Sequence, residues 1–174
     1  PTIQAIFVGD LIDRGEKQTE VLNLVHSMVK LGSALIVMGN HEFNAIGYAT
    51  QHPTKENEHL RTRSKKNTHQ HQAFLNAVQA DSRDHIDWID WFKTLPLFLN
   101  LDDFNVIHAF WDEDLIHELQ PYLNEDNALL EQYWYDAFDS AHPLYSLLEK
   151  LLKGLEVDLP NGISYLDKDG HERK

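Results

Sequence analysis

Two short apolar runs, AIFV at residues 5–8 and ALIVM at 34–38, each stop on a glycine followed by a polar group. Continuous apolar runs of this length suit strands buried on both faces. Between them, residues 16–31 place Val21, Leu24, Val25 and Met28 at helical spacing, and Gly32 stands where a helix C-terminal cap belongs. Strand, helix and strand at this spacing make a βαβ unit, so the two strands are expected to be parallel with a right-handed crossover. No other feature restricts the fold as much. It puts the chain in the α/β class and points both strand ends toward one crevice.

The segments just after the two strands are unusual for turns. GDLIDRG, residues 9–15, carries Asp10, Asp13 and Arg14, and GNHE, residues 39–42, carries Asn40, His41 and Glu42. A third apolar stretch, FNVIHA, ends on His108. A carboxylate, an amide oxygen and an imidazole nitrogen form a mixed oxygen and nitrogen donor set, which suits Mn²⁺, Fe, Zn²⁺ or Mg²⁺ better than soft metals. Asp10 can bridge two cations through its two oxygens. Two cations about 3.5–4 Å apart can hold a hydroxide and clamp both ends of an in-line displacement at phosphorus. Arg14 offers a planar fork matched to phosphate oxygens. His41 can protonate a departing oxygen, with Asp13 orienting it. Glu42 is expected to be structural, accepting nearby hydrogen bonds.

GDLIDRG followed by GNHE resembles the signature of the calcineurin-like metallophosphoesterases, in particular their phosphoprotein-phosphatase branch. HAFWD, residues 108–112, resembles the third site of bacterial relatives. The resemblance implies a sandwich of two mixed sheets flanked by helices, with the site where strand ends meet. It implies Asp10, Asn40 and His108 as metal ligands, two divalent ions with manganese favoured, Asp13 and His41 as the acid dyad, and Arg14 as phosphate clamp. The activity implied is hydrolysis of phosphate monoesters, on phosphoserine/threonine or small organic phosphates. The alternatives are a dinucleoside polyphosphate hydrolase of the same fold and an inactive binding module. Family members also carry an upstream Asp-x-His strand end and a downstream Gly-His motif. Gly170-His171 comes after DKD in a hairpin turn and does not serve. A single domain trimmed at both ends is therefore expected, lacking its first strand and its C-terminal strands. Such trimming would weaken metal binding and permit self-association through an exposed sheet edge.

The rest of the sequence is less specific. Residues 49–72 are polar and carry a local charge of +3 within a chain of −13. They read as a functional or disordered loop, with Arg61 and Arg63 as candidate substrate ligands. His69 and His71, two positions apart, do not share a helix face and are not expected to make a second metal site. Helical spacing returns at 73–78 and 86–92, where Trp88, Trp91 and Phe92 are expected in the core. LPLFLNLDDFNVIHA reads as a hairpin turning at Asp102-Asp103, and residues 114–153 as mostly helical with breaks near 121–124 and at Pro143. Trp111 is a candidate to line the site. SYLDKDGHERK reads as a strand, an Asp-Gly turn and the start of a returning strand. The acidic balance argues against nucleic acid and anionic membranes as partners. The absence of cysteine excludes disulfides and thiolate chemistry and fits a cytoplasmic setting.

Overall fold

The computed structural model describes residues 3–155, 160, 163–166 and 172–173. Strand β1 (Ala5–Phe7) pairs in parallel with β2 (Ala34–Ile36), Ile6 opposite Leu35, with helix α1 (Gln18–Lys30) between them in the chain. This is the expected βαβ unit. Helix α1 closes as foreseen: Gly32 takes φ 71°, and the amides of Gly32 and Ser33 bond back to the carbonyls of Val29 and Met28. That pair of bonds is the Schellman arrangement, which only a residue tolerant of positive φ supports without strain.

Helix α2 (Asn40–Ala49) starts directly after β2 and packs against α4 (Arg83–Lys93), while α1 packs against α3 (Lys65–Val78). Strands β3 (Phe98–Asn100) and β4 (Asn105–Ile107) form the expected antiparallel hairpin, Leu99 opposite Val106. The Met38 amide donates to the Pro96 carbonyl, which ties the end of the first sheet to the start of the hairpin. Helices α5 (Glu113–Leu119) and α6 (Pro143–Lys153) come next, then a short antiparallel pair, β5 (Tyr165–Leu166) and β6 (Glu172–Arg173). The last pair matches the expected returning hairpin; its Asp-Gly turn and Gly170-His171 lie outside the described residues. The α/β class therefore holds. Among the described residues the strands form three two-stranded sheets, and no helix is long and apolar enough to cross a membrane.

Two expectations need correction. The polar stretch read as a loop to residue 72 is helical from Lys65 onward. The Ser64 side chain caps it by accepting from the Asn67 amide, 3.2 Å, and only the narrow strip of His71, Phe74, Leu75 and Val78 is buried. An amphipathic stripe that thin leaves little apolar periodicity in its first two turns. Between α5 and α6, residues expected to be helical instead form three 3₁₀ turns, Gln120–Tyr122, Glu131–Tyr133 and Asp136–Phe138. Pro143 does not break a helix but begins one, at the first-turn position where its missing N–H costs nothing.

The core runs between these layers. Leu144, Leu147, Leu148, Leu151 and Leu152 of α6 are all buried, at roughly 1.5–3 kcal/mol each. The Phe110 amide bonds to the Leu151 carbonyl, which holds the last turn of α6 beside the segment after β4. Phe92 is buried as expected, whereas Trp88 and Trp91 are half-buried and lie against His26.

Candidate active site

The ends of β1 and β2 meet through glycine. Gly9 has φ 79°, and a Cβ there would overlap the backbone of Gly39; a Cβ on Gly39 would lie 2.6 Å from Asp10 Oδ1 and 2.8 Å from Glu42 Oε2. Both strand-ending glycines are therefore required by the close approach of the two motifs. Around them the loop is tightly wound. Asp10 (φ 56°) and Asp13 (φ 67°) occupy the left-handed region, which Asp tolerates better than most residues.

Glu42 holds the two ends together. Its fully buried carboxylate accepts from the amides of Asp10 (2.9 Å), Leu11 (2.7 Å) and Gly39 (3.0 Å). Burial pushes its pKa up, against the pull of these N–H bonds. On the other side Gln18, buried in the first turn of α1, accepts from the Asp13 amide and donates to the carbonyls of Arg14 and Gly15. The loop is thus clamped from both flanks, and its side chains are set in fixed directions.

Asp10, Asn40 and His108 come together as the sequence leads one to expect. His108 Nε2 lies 3.2 Å from Asn40 Oδ1 and 3.6 Å from Asp10 Oδ1. Two donors each about 2.1 Å from one cation, at ordinary coordination angles, are about 3.0–3.4 Å apart. His108 Nδ1 hydrogen-bonds to the Val8 carbonyl, so that nitrogen carries the proton. In the neutral ring, Nε2 then turns a lone pair toward two oxygens, an arrangement that favours a cation among them. A metal-binding histidine commonly donates its other ring N–H in this way. Among the described residues no three His, Cys, Asp or Glu side chains are arranged to hold a metal ion by themselves; one donor of this set is an amide. The residues fit a divalent ion.

Beside this set stands the dyad. His41 Nδ1 is 2.9 Å from Asp13 Oδ2, and its Nε2 is 3.9 Å from Asp10 Oδ2. The hydrogen bond that His41 donates to Asp13 raises the His41 pKa, with burial opposing and the charges of Asp10, Asp13 and Glu42 assisting. For Asp13, burial acts to raise the pKa but is outweighed by hydrogen bonds from His41 and His71, so it falls below the usual carboxylate value. His71 is the residue that sequence spacing dismissed. It does not join a metal site, yet its Nδ1 lies 2.8 Å from Asp13 Oδ1. Gln18 also carried no recognisable signal.

The dyad opens into a polar cavity of about 620 Å³ lined by Arg14, Asn44, Arg61, Lys66, Asn67 and Lys153 among others. Four cations thus face a cavity in a chain of net charge −13. Arg63 does not line it: Nε donates to the Tyr48 carbonyl at 3.0 Å, and the guanidinium lies over the Tyr48 ring and pairs with exposed Asp81. Trp111 is also turned elsewhere, edge-on to Phe98 with its indole N–H on Glu113. Asp112 caps α5 by accepting from the Leu115 amide. A cavity of about 400 Å³ between α1 and α4, lined by His26, Trp88 and Trp91, contains none of these residues.

The chain is 30% identical over 156 residues to the symmetrical bis(5'-nucleosyl)-tetraphosphatase of Vibrio cholerae, covering 83% of this chain and 51% of that protein. It is 32% identical over 137 residues to the symmetrical bis(5'-nucleosyl)-tetraphosphatase of Actinobacillus succinogenes, covering 75% and 42%. Identity is 30% over 117 residues with the asymmetrical bis(5'-nucleosyl)-tetraphosphatase PrpE of Oceanobacillus iheyensis, covering 65% and 44%. The chain spans about half the length of these curated relatives, or somewhat less. The model of the calcineurin-like phosphoesterase family matches residues 3–160, and the chain belongs to that family.

Proposed function

We propose that the protein is a metal-dependent hydrolase of polyphosphate esters, of the dinucleoside polyphosphate class, in preference to a phosphoprotein phosphatase. The observation that carries this reading is the set of four cations lining the cavity beside the dyad. A phosphorylated serine presents one phosphate, for which Arg14 suffices. Arg61, Lys66 and Lys153 add positive charge to the same cavity, which suits a substrate carrying several phosphates. The tetraphosphatase relatives act on such compounds, and this supports the alternative reading of the sequence over the phosphomonoester one.

Asp10, Asn40 and His108 are the residues to hold a divalent ion, the family generally using two. When bound, such ions supply an activated water oxygen and neutralise charge on the phosphoryl group. The chain's own residues do the rest. Arg14 binds phosphate oxygens. Asp13 holds His41 with Nδ1 protonated and stabilises the imidazolium. His41 Nε2 then gives its proton to the oxygen that leaves phosphorus as the P–O bond breaks, while a water oxygen forms the new bond.

Diadenosine tetraphosphate, a phosphoserine peptide and 4-nitrophenyl phosphate, each assayed with and without Mn²⁺, test the proposal. The tetraphosphate is expected to give the highest kcat/KM. Arg61→Ala combined with Lys66→Ala is expected to lower it at least tenfold for the tetraphosphate and less than threefold for the nitrophenyl ester. Preference for the phosphopeptide, unaffected by the double variant, would overturn the reading.

A further inference from the structure

We propose that His71 is a positioning residue of the Asp13–His41 dyad, fixing the carboxylate on which the proton-donating imidazole depends. Both rings reach one carboxylate: His71 Nδ1 lies 2.8 Å from Oδ1 and 3.1 Å from Oδ2, and His41 Nδ1 lies 2.9 Å from Oδ2. A carboxylate has only acceptors to offer, so Nδ1 carries the proton in each ring.

The terminal torsion of an Asp side chain is broad and two-fold, so one hydrogen bond on one oxygen does not define it. His41 alone would leave Asp13 free to rotate and itself free to follow. The ring of His71 is not free. It is 2% exposed, lies 5.3 Å from the ring of Tyr48 and 5.2 Å from that of Phe74, and is borne by α3. One turn earlier, the Thr68 hydroxyl meets the Tyr48 hydroxyl at 3.0 Å, which fixes the same helix against α2. With Gln18 on the Asp13 amide, backbone and carboxylate are held independently, and together they set the direction of His41.

A simple tether between α3 and the loop does not account for the choice of residue. His71 Nε2 is buried and has no hydrogen-bond partner among the described residues. An unpartnered buried polar atom costs stability that an apolar side chain would not. What the histidine adds is one N–H, and that N–H goes to Asp13.

Three variants separate the roles. His71→Asn keeps an N–H near the place of Nδ1, His71→Gln puts its amide near the place of Nε2, and His71→Leu keeps bulk alone. At one fixed pH, kcat for phenyl phosphate is expected to fall about tenfold in the Leu and Gln variants with KM within twofold. The fall for 4-nitrophenyl phosphate, whose leaving group needs less protonation, is expected to be smaller. The Asn variant is expected to recover to within threefold of wild type. This kinetic arm rests on the phosphoesterase reading, and a protein inert toward every ester refutes that reading only. The second arm needs no activity: in chelator, the ¹⁵N-bound Nδ1 proton of His41 is expected in the NMR spectra of wild type and the Asn variant and broadened away in Gln. Equal His41 signals in the Asn and Gln variants would overturn the proposal, even if the Leu variant fails to fold.

Discussion

Replacing Glu42 by Gln removes one charge and one acceptor from the junction of β1 and β2. The carboxylate accepts three amides, Leu11 on Oε1 at 2.7 Å and Asp10 and Gly39 on Oε2 at 2.9 and 3.0 Å. A glutamine oxygen can take the place of Oε2 and keep two of them. Its NH₂ then faces the buried Leu11 N–H, and that orphaned donor costs about 1–3 kcal/mol. The two retained bonds lose their charge assistance, about another 1–2 kcal/mol together. Release from burying a carboxylate, the effect that raises the Glu42 pKa, offsets part of this. The net expectation is a loss of about 2–4 kcal/mol, read from urea unfolding at pH 7 in chelator with the slope unchanged. A Gln variant within about 0.5 kcal/mol of wild type would refute the assignment of Glu42 as the clamp between the two motifs.

Gly39→Ala places a methyl against Asp10 Oδ1 and Glu42 Oε2; a loss of at least about 3 kcal/mol is expected, from strain and broken hydrogen bonds, again by urea unfolding. Ser64→Ala removes the cap of α3 and is expected to cost about 1 kcal/mol, with faster amide exchange confined to residues 65–68. In the metal-free chain, stability from the proton on His41 is complete below its ordinary pKa of 6.5 and is lost as pH rises through the raised folded value. Stability from ionised Asp13 is complete above its ordinary 3.8 and is lost as pH falls through the lowered folded value. The pair is therefore expected to contribute fully between pH 3.8 and 6.5. His41→Gln is expected to flatten the alkaline decline in urea midpoints; an unchanged decline would contradict the pairing.

The βαβ unit and the three strand ends that carry Asp10, Asn40 and His108 were legible because apolar run length and strand-end chemistry are local properties of the chain. The junction was legible only as motif: the two glycines are explained by a backbone contact between Gly9 and Gly39, far apart in the chain, which no local pattern encodes. The first two turns of helix α3 were hidden because its buried stripe is thin and they are made of Lys, Asn, Thr, His and Gln. His71 was missed for a related reason. Its partner is Asp13, 58 residues away, and spacing to His69 is no guide to a residue that points inward alone. Arg63 shows the converse, since composition marks the basic stretch but cannot say which cation faces the cavity and which lies over Tyr48. The 3₁₀ turns between α5 and α6 carry helix-like apolar residues, but the first packs against α5 and the third against α6, with Phe138 stacked on Phe43 of α2, in place of regular helix.

Central to the proposed chemistry is that Asp10, Asn40 and His108 surround one cation. Titration of the chain with Mn²⁺, monitored by the EPR signal of the free ion, addresses that directly. Binding to wild type, weakened at least tenfold by Asp10→Asn and by His108→Ala while both variants stay folded, is the predicted result. Equal affinity in all three proteins, or no binding to the folded wild type at millimolar Mn²⁺, would contradict it.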